Sequence, residues 1–236
     1  VNGTCTVNVT FTPSTAGSRP GTLTFTHNGG GLANVTLTGT GQAASATLST
    51  PAFPATTVGS SSTATSTLTN TGIGSLSVTV PTAAVVTGTD FTFVSTTCGT
   101  SLAAGGTCST TVRFSPTSTA ARTGSVAIVT GAGTQSATLA STGVQGIASL
   151  SQSSIAFSPK QVGESVTAGN VVVTNTGTST LTFTSVSVTA GATDFTQSSP
   201  ACTALAVNAT CTISVTFAPS TAGARSGTVT LVHNGT

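Results

Sequence analysis

The sequence predicts an all-β protein made of repeated antiparallel β-sandwiches. Short runs of alternating β-branched residues, bounded by Gly, Pro, Asn and Ser, are typical of strands. The chain shows no helical periodicity of apolar residues. A segment also recurs every 103 residues, marked by Cys5, Cys108 and Cys211. We therefore expect antiparallel strands throughout, with helix confined to single turns.

The composition of the 236 residues excludes several functional classes. Thr occurs 56 times and Ser 32 times, whereas 8 side chains are charged, so hydroxyl groups must supply most of the polar surface. Nucleic-acid binding requires clustered Lys and Arg, and the one Lys and four Arg are scattered, for a net charge of +2. The longest apolar runs are about four residues, far below the roughly 18 of a membrane span.

The recurring segment has three copies of unequal similarity. The first copy, residues 1–30, and the third copy, residues 207–236, are identical at 20 of 30 positions. The middle copy, residues 104–133, matches the first at 9 of 30. All three keep the Cys, a Phe six residues later and the following Pro, so we expect them to occupy the same place in successive domains.

Strands and turns follow from the pattern along the chain. Strands are predicted at Thr4–Phe11, Thr22–Thr26, Asn34–Thr38, Thr63–Thr69, Leu76–Val80, Thr107–Phe114, Ser125–Val129, Val171–Thr174, Leu181–Val188 and Thr212–Phe217. The equivalent strings Asn70-Thr71-Gly72 and Asn175-Thr176-Gly177 indicate turns. His27-Asn28-Gly29 and His233-Asn234-Gly235 indicate another, in which Asn-Gly suits the positive φ angles of a tight hairpin.

About seven short strands in roughly 103 residues is the size of an immunoglobulin-like β-sandwich. On this basis residues 1–41 are the C-terminal part of one repeat, residues 42–143 are a complete repeat, and residues 144–236 are a repeat without its last strand. That missing strand is the equivalent of Leu32 to Thr38. The linkers are a few residues long, so we expect a semi-rigid rod.

An incomplete sandwich exposes an apolar groove and unpaired edge groups, which tend to recruit another strand. Two explanations are open at this stage. The chain is a window of a longer polypeptide, or separate chains complete each other by donating strands head to tail. The duplication of residues 207–236 by residues 1–30 favours the window, because a donor chain would bring redundant strands with the missing one.

The repeated residues also carry a family resemblance. The string Cys-Thr-Ile-Ser-Val-Thr-Phe-Ala-Pro at 211–219, Ala-Gly-Ala-Arg-Ser-Gly at 222–227 and Leu-Thr-Gly-Thr-Gly at 37–41 resemble bacterial choice-of-anchor D repeats. These are related to the abnormal-spindle and hydin type of immunoglobulin-like domain. The middle copy departs from the pattern at Ala120, where the other copies have Gly. The resemblance implies a large, repetitive, exported surface protein.

The five cysteines predict disulfides of an exported protein. Cys98 and Cys108 flank a Gly-rich loop, and Cys202 and Cys211 flank the equivalent loop one repeat later, so we predict one bond in each pair. Cys5 has no partner within the sequence by this register. Free structural thiols are the alternative. A metal site or a Cys nucleophile is disfavoured because no His lies near any Cys in the sequence.

The charged residues mostly obey the repeat. Arg19, Arg122 and Arg225 occupy one position, and Asp90 and Asp194 another, so a structural role such as a turn hydrogen bond or an Asp–Arg pair is expected. Lys160 and Glu164 break the pattern. The two His share a hairpin position, and acid–base catalysis would need a carboxylate pair or a His beside an acid. We therefore predict no enzyme, no catalytic or metal residue and no cofactor.

The sequence favours a structural protein, in which tandem immunoglobulin-like domains build an extracellular fibre, stalk or adhesin shaft. Its partners would then be neighbouring copies of the same array. The alternative is a binding module that recognises a glycan or protein through loops at one end of a sandwich, such as Thr82 to Thr89 or Ala190 to Thr193.

Overall fold

The computed structural model describes residues 3–199 and 202–235. Its architecture is all-β, as predicted, and its one helical element in the described residues is a single 3-10 turn at Ala83–Val85. The strands are β1 (Gly17–Thr26), β2 (Leu32–Gly41), β3 (Ala46–Leu48), β4 (Thr56–Thr57), β5 (Ser62–Asn70), β6 (Leu76–Ser77), β7 (Val86–Thr87), β8 (Phe91–Thr96), β9 (Ser101–Leu102), β10 (Thr107–Phe114), β11 (Ala121–Thr130), β12 (Gly133–Val144), β13 (Ala148–Leu150), β14 (Val166–Asn175), β15 (Leu181–Ala190), β16 (Phe195–Ser198), β17 (Ala204–Leu205), β18 (Thr210–Phe217) and β19 (Thr228–His233).

The chain divides into two compact units. The first unit comprises residues 1–52, 63–113 and 123–140, and the second unit comprises residues 53–62, 114–122 and 141–236. The division of the sequence into repeats at residues 41 and 143 remains a prediction.

The strands form small sheets in which each element is short. Strands β1 and β2 make a two-stranded sheet, β6 and β9 another, and the four-stranded sheets have the orders β3-β5-β10-β8 and β4-β12-β11-β7. In the second unit, β13-β14-β18-β16 form one sheet and β17-β15-β19 another. Alternate residues face a core because side chains in a strand point to opposite faces. The pattern is visible in β10, where every second residue from Cys108 to Phe114 is buried.

Most predicted strands are present, and two predictions need correction. Residues 4–11 form no strand, and their side chains are exposed. The equivalent strands β10 and β18 pair with β5 and β14, and no strand of that type stands beside residues 4–11 in the described part of the chain. The predicted strand at Leu76–Val80 is reduced to Leu76–Ser77, with Val78 in an isolated bridge to Thr130.

The hairpin and pairing predictions also need refinement. Strands β1 and β2 join through residues 27–31, and the positive φ angles fall at Gly30 and Gly31, 75° and 127°, rather than at Asn28 and Gly29. The loop is therefore longer than the two-residue turn that Asn-Gly predicts. Pairing is antiparallel between β1 and β2 and within the sheets β13-β14-β18-β16 and β17-β15-β19. Between β4 and β12 it is parallel, with Thr56 and Thr57 beside Gly143 and Val144.

Each unit has an apolar core that includes one disulfide. In the first unit, a buried cluster surrounds the bonded Cys98 and Cys108 and includes Leu68, Leu76 and Ile128. In the second unit, the core consists of Val173, Leu181, Phe183, Phe195, Cys202, Leu205, Cys211, Ile213 and Val215. The sandwich therefore places both disulfides inside, where they connect the ends of the loops before β10 and β18.

Candidate functional site: an apolar groove in the second unit

An open groove of about 710 Å³ lies within residues 150–231 of the second unit. Its lining is mostly apolar and comes from the segment before β14, from the inner faces of β14, β15 and β18, and from residues 223–231. We call this feature the open groove, and the backbone from Gly223 to Leu231 its edge. A concave apolar surface of this size is a candidate binding site.

Three phenylalanines form the aromatic part of the lining. The rings of Phe195 and Phe217 stack with centroids 4.9 Å apart, and the ring of Phe157 lies 5.7 Å from Phe195 and 5.6 Å from Phe217. Phe157 and Phe217 stay partly exposed. Covering apolar surface of this kind with a partner lowers the free energy by roughly 25 cal/mol for each Å² removed from water.

An ion pair stands at the rim of the groove. Arg225 Nε lies 3.5 Å from Asp194 Oδ2, while the Ser220 amide donates a 2.7 Å hydrogen bond to Asp194 Oδ1. Arg225 Nε makes no hydrogen bond within residues 3–199 and 202–235, so the pair is held by charge rather than by an aligned N–H. This is the Asp–Arg structural role that the repeat positions predict.

The surroundings of Asp194 stabilise its charged form. Hydrogen bonds from the Ser220 hydroxyl and amide hold the pKa of this carboxyl below its ordinary value, and Arg225 and the Thr193 hydroxyl add to that lowering. Burial acts in the opposite direction but is outweighed. The carboxylate therefore ties the loop at Ser220 to the start of β16.

The two predicted disulfide pairs are joined in the structure. Cys98 and Cys108 have Cα atoms 4.9 Å apart, and Cys202 and Cys211 have Cα atoms 5.4 Å apart. Cys5 is free and exposed. The four bonded side chains are buried, so their chemistry is that of core crosslinks rather than of reactive thiols.

Each histidine accepts a hydrogen bond within its own turn. His27 Nδ1 accepts a 3.2 Å hydrogen bond from the Gly29 amide, and His233 Nδ1 accepts an identical one from the Gly235 amide. The described residues contain no cluster of His, Cys, Asp and Glu able to hold a metal ion. Neither do they contain a helix long and apolar enough to cross a membrane.

Sequence reasoning missed the role of one repeated residue. The Asn-Thr-Gly strings predicted only turns at Asn70 and Asn175. The structure shows that both side chains are fully buried and make several hydrogen bonds. Asn175 Nδ2 donates to the carbonyls of Ser179 and Leu205, and its Oδ1 accepts from the amides of Ile147 and Gly177. The sequence contained a signal for this role, because Asn recurs at the end of equivalent strands. A residue that only formed a turn could be Asp or Ser as well.

Comparison with known proteins agrees with this architecture. Residues 146–236 match the family model of the HYDIN/CFA65/VesB-like Ig-like domain. This part of the chain is similar to the Ig-like domains that this family model describes. The narrower resemblance to choice-of-anchor D repeats remains a prediction.

Solved structures offer distant likenesses. A protein of unknown function from Porphyromonas gingivalis W83 is 15% identical over 80% of this chain and 92% of its own, with a TM-score of 0.29. The secreted serine protease VesC from Vibrio cholerae is 11% identical over 78% of this chain, with a TM-score of 0.31, and this chain spans 50% of its length. These scores carry no argument about function. No curated protein sequence matches the chain.

Proposed function

We propose that this chain is a structural segment of an extracellular fibre, stalk or adhesin shaft, in which Ig-like domains act as spacers. The Ig-like family is one of structural or binding modules, and buried disulfides are compatible with export to an oxidising compartment. The proposal has two parts, namely that the chain lies on a cell surface and that it assembles into a fibre.

The observation that carries it is how the repeated polar residues are used. Asn70 and Asn175 satisfy backbone groups of their own and neighbouring segments, and His27 and His233 accept hydrogen bonds in their own turns. Asp194 is engaged by Ser220 and Arg225. The polar side chains that a binding site could present to a ligand are thus engaged in hydrogen bonds and an ion pair that stabilise the fold. Such residues recur because each domain needs them to hold its fold, rather than because they recognise a ligand.

Small-angle X-ray scattering on purified chains tests the spacer role. A chain with one extra copy of residues 42–143 inserted after residue 143 should show a longer maximum dimension and an almost unchanged cross-section. A compact particle that grows equally in all directions would contradict a shaft.

An array of glycans and proteins tests the rival binding function. A spacer should give no saturable binding that depends on the loops at 82–89 and 190–193. Binding that is abolished when Thr residues in one of these loops are replaced by Ala, and not by Ala at exposed Thr36 of β2, would favour the binding module.

A further inference from the structure

We propose that the uncovered edge of β12 pairs antiparallel with β12 of a second copy of this chain, so that one sheet continues from one copy into the other. The inference rests on the proposed structural function in one respect, since such pairing would join shafts side by side. Its evidence is otherwise the position, length and charge of β12.

Strand β12 has a neighbour along one side only for most of its length. It lies between β4 and β11 in its sheet, but β4 has two residues and pairs only with Gly143 and Val144. Ten residues of β12, 133–142, therefore have no strand on the side away from β11 in the described part of the chain. We call these residues the free edge. Backbone N–H and C=O groups along such an edge are a template for a further strand.

The length of the free edge distinguishes it from the strands that end the four-stranded sheets. Those strands, namely β3, β4, β7, β8, β13 and β16, have two to six residues each. A very short edge strand is one of the devices that keep sheets from pairing with other chains. The free edge of β12 lacks this protection.

The free edge also lacks the charges and prolines that commonly prevent pairing at sheet edges. Strand β12 contains neither, and no charged residue occurs between Arg122 and Lys160. An identical strand brought alongside would therefore meet no electrostatic repulsion. Its outward side chains are small, mostly hydroxylic and exposed, and such side chains can hydrogen-bond across paired strands. They are Thr134, Ser136, Thr138, Ala140 and Thr142.

The inward face of β12 holds the edge in an extended conformation before any partner arrives. Ala137 and Leu139 are 5% and 0% exposed, so the strand is anchored in the core of its own sandwich. A second strand would therefore pair with an ordered template, which reduces the entropy cost of association.

A second copy of the chain is the partner that these features favour. A two-fold axis through the middle of the free edge sets two β12 strands antiparallel, and each contact then occurs twice. The strand equivalent to β12 in the first repeat, β2, likewise has no charged residue and no Pro. The same neutral edge is therefore available in more than one repeat of an array.

The size of the contact indicates that single chains pair weakly. Ten residues of extended strand span about 34 Å. A contact one strand wide over that length is smaller than the roughly 1,600 Å² of a standard interface. Arrays that align several such edges would gain affinity, because each pairing raises the effective concentration of the next.

Charge substitution tests the pairing. The chain carrying Cys5→Ser, which removes the exposed thiol, should show a sedimentation coefficient that rises with protein concentration. Adding Ser136→Lys and Thr138→Lys should weaken this self-association by about fivefold or more, because like charges opposite each other across a strand pair are destabilising. Ser136→Glu with Thr138→Glu should do the same. An equimolar mixture of the Lys and Glu variants should restore association, because opposite charges then face each other.

The matched control carries Thr63→Lys and Thr65→Lys on β5. Both threonines are exposed, and β5 lies between two strands of its sheet, β3 and β10. This variant should associate like the Cys5→Ser parent, since the added charge is the same but lies away from the free edge.

Hydrogen exchange read out by mass spectrometry locates the contact. Raising the concentration of the parent should slow amide exchange within residues 133–142, and the Ser136→Lys, Thr138→Lys variant should show no such change. A parent that stays monomeric overturns the pairing. Association that survives the Lys substitutions, a Lys and Glu mixture that does not associate, or exchange at 133–142 that is independent of concentration overturns β12 as the contact. The scattering and array tests of the spacer function use dilute chains, so none of these outcomes alters them.

Discussion

At the scale of single residues, the fold depends on polar side chains that satisfy backbone groups inside the domain. Asn175 is fully buried, and its four contacts join the turn at Gly177, the segment before β13 and the end of β17. A buried backbone group that loses its partner costs free energy because water cannot replace the bond. One amide side chain therefore fixes three separate segments.

Replacing Asn175 by Ala should lower the free energy of unfolding of the second unit by about 2–4 kcal/mol, because carbonyls and amides become unsatisfied in the core. Chemical denaturation followed by intrinsic fluorescence of Phe or by circular dichroism would measure the loss. The control is Asn34→Ala on exposed β2, which should change stability by less than about 0.5 kcal/mol. Equal losses in the two variants would show that the Asn175 network is not stabilising.

Asp194 should make the stability of the second unit depend on pH. Its pKa is lowered in the folded state by the hydrogen bonds from Ser220, so the contribution is present above the unfolded pKa of about 4 and is lost as pH falls through the folded value. Asp194→Asn should therefore be less stable than the parent at pH 7, and the difference should shrink below about pH 4. Glu164→Gln, at an exposed site, is the control. A difference that stayed constant from pH 7 to pH 2 would show that charge on Asp194 is not the cause.

At the scale of the elements, each disulfide fixes the loop that leads into a central strand. The bonds close loops with sequence separations of 10 and 9 residues. Crosslinking such a loop restricts the unfolded chain, which raises the free energy of the unfolded state relative to the folded one.

The Cys98→Ala, Cys108→Ala double variant should lose about 2–3 kcal/mol of stability by the loop-closure argument. Alanine is chosen because both positions are buried and a serine hydroxyl would add a separate cost. Cys5→Ala, at an exposed thiol, should be neutral. Mass spectrometry without reduction should find the linked peptides 98–108 and 202–211, and a peptide linking Cys5 to either pair would contradict the assignment.

The strands that sequence reasoning located best are those whose alternation reflects burial. In β10, Cys108, Val112 and Phe114 alternate with outward residues, and the predicted bounds Thr107–Phe114 are those observed. Residues 4–11 have a similar pattern but pair with no strand in the described part of the chain, and Val7, Val9 and Phe11 are about half exposed. Alternation of apolar residues predicts that a segment is able to pair as a strand. The strand also needs a neighbouring strand, which the local sequence does not specify.

The lining of the open groove was not predicted from the sequence. The shortness of β19 and the Phe157, Phe195 and Phe217 cluster depend on distances between segments up to 60 residues apart. Short strands such as β4, β7, β9 and β17 were also missed, because two residues are too few to show alternation.

At the scale of the whole molecule, the three copies of one segment should differ in stability because they differ in coverage. The middle copy has its apolar residues fully buried under β12, whereas the first and third leave Phe25 and Leu231 partly exposed. Local opening is easiest where few apolar contacts must be broken. Equivalent segments of the three copies are thus expected to exchange amide hydrogens at different rates.

Hydrogen exchange read out by mass spectrometry, at low protein concentration, would measure this. We expect slow exchange in β11 and the part of β12 beside it, and exchange at least tenfold faster along 223–231 and in the β1–β2 hairpin, since a loss of about 1.4 kcal/mol in local opening free energy already gives tenfold. If residues 223–231 were as protected as 121–128, the difference in burial between the copies would not control local opening.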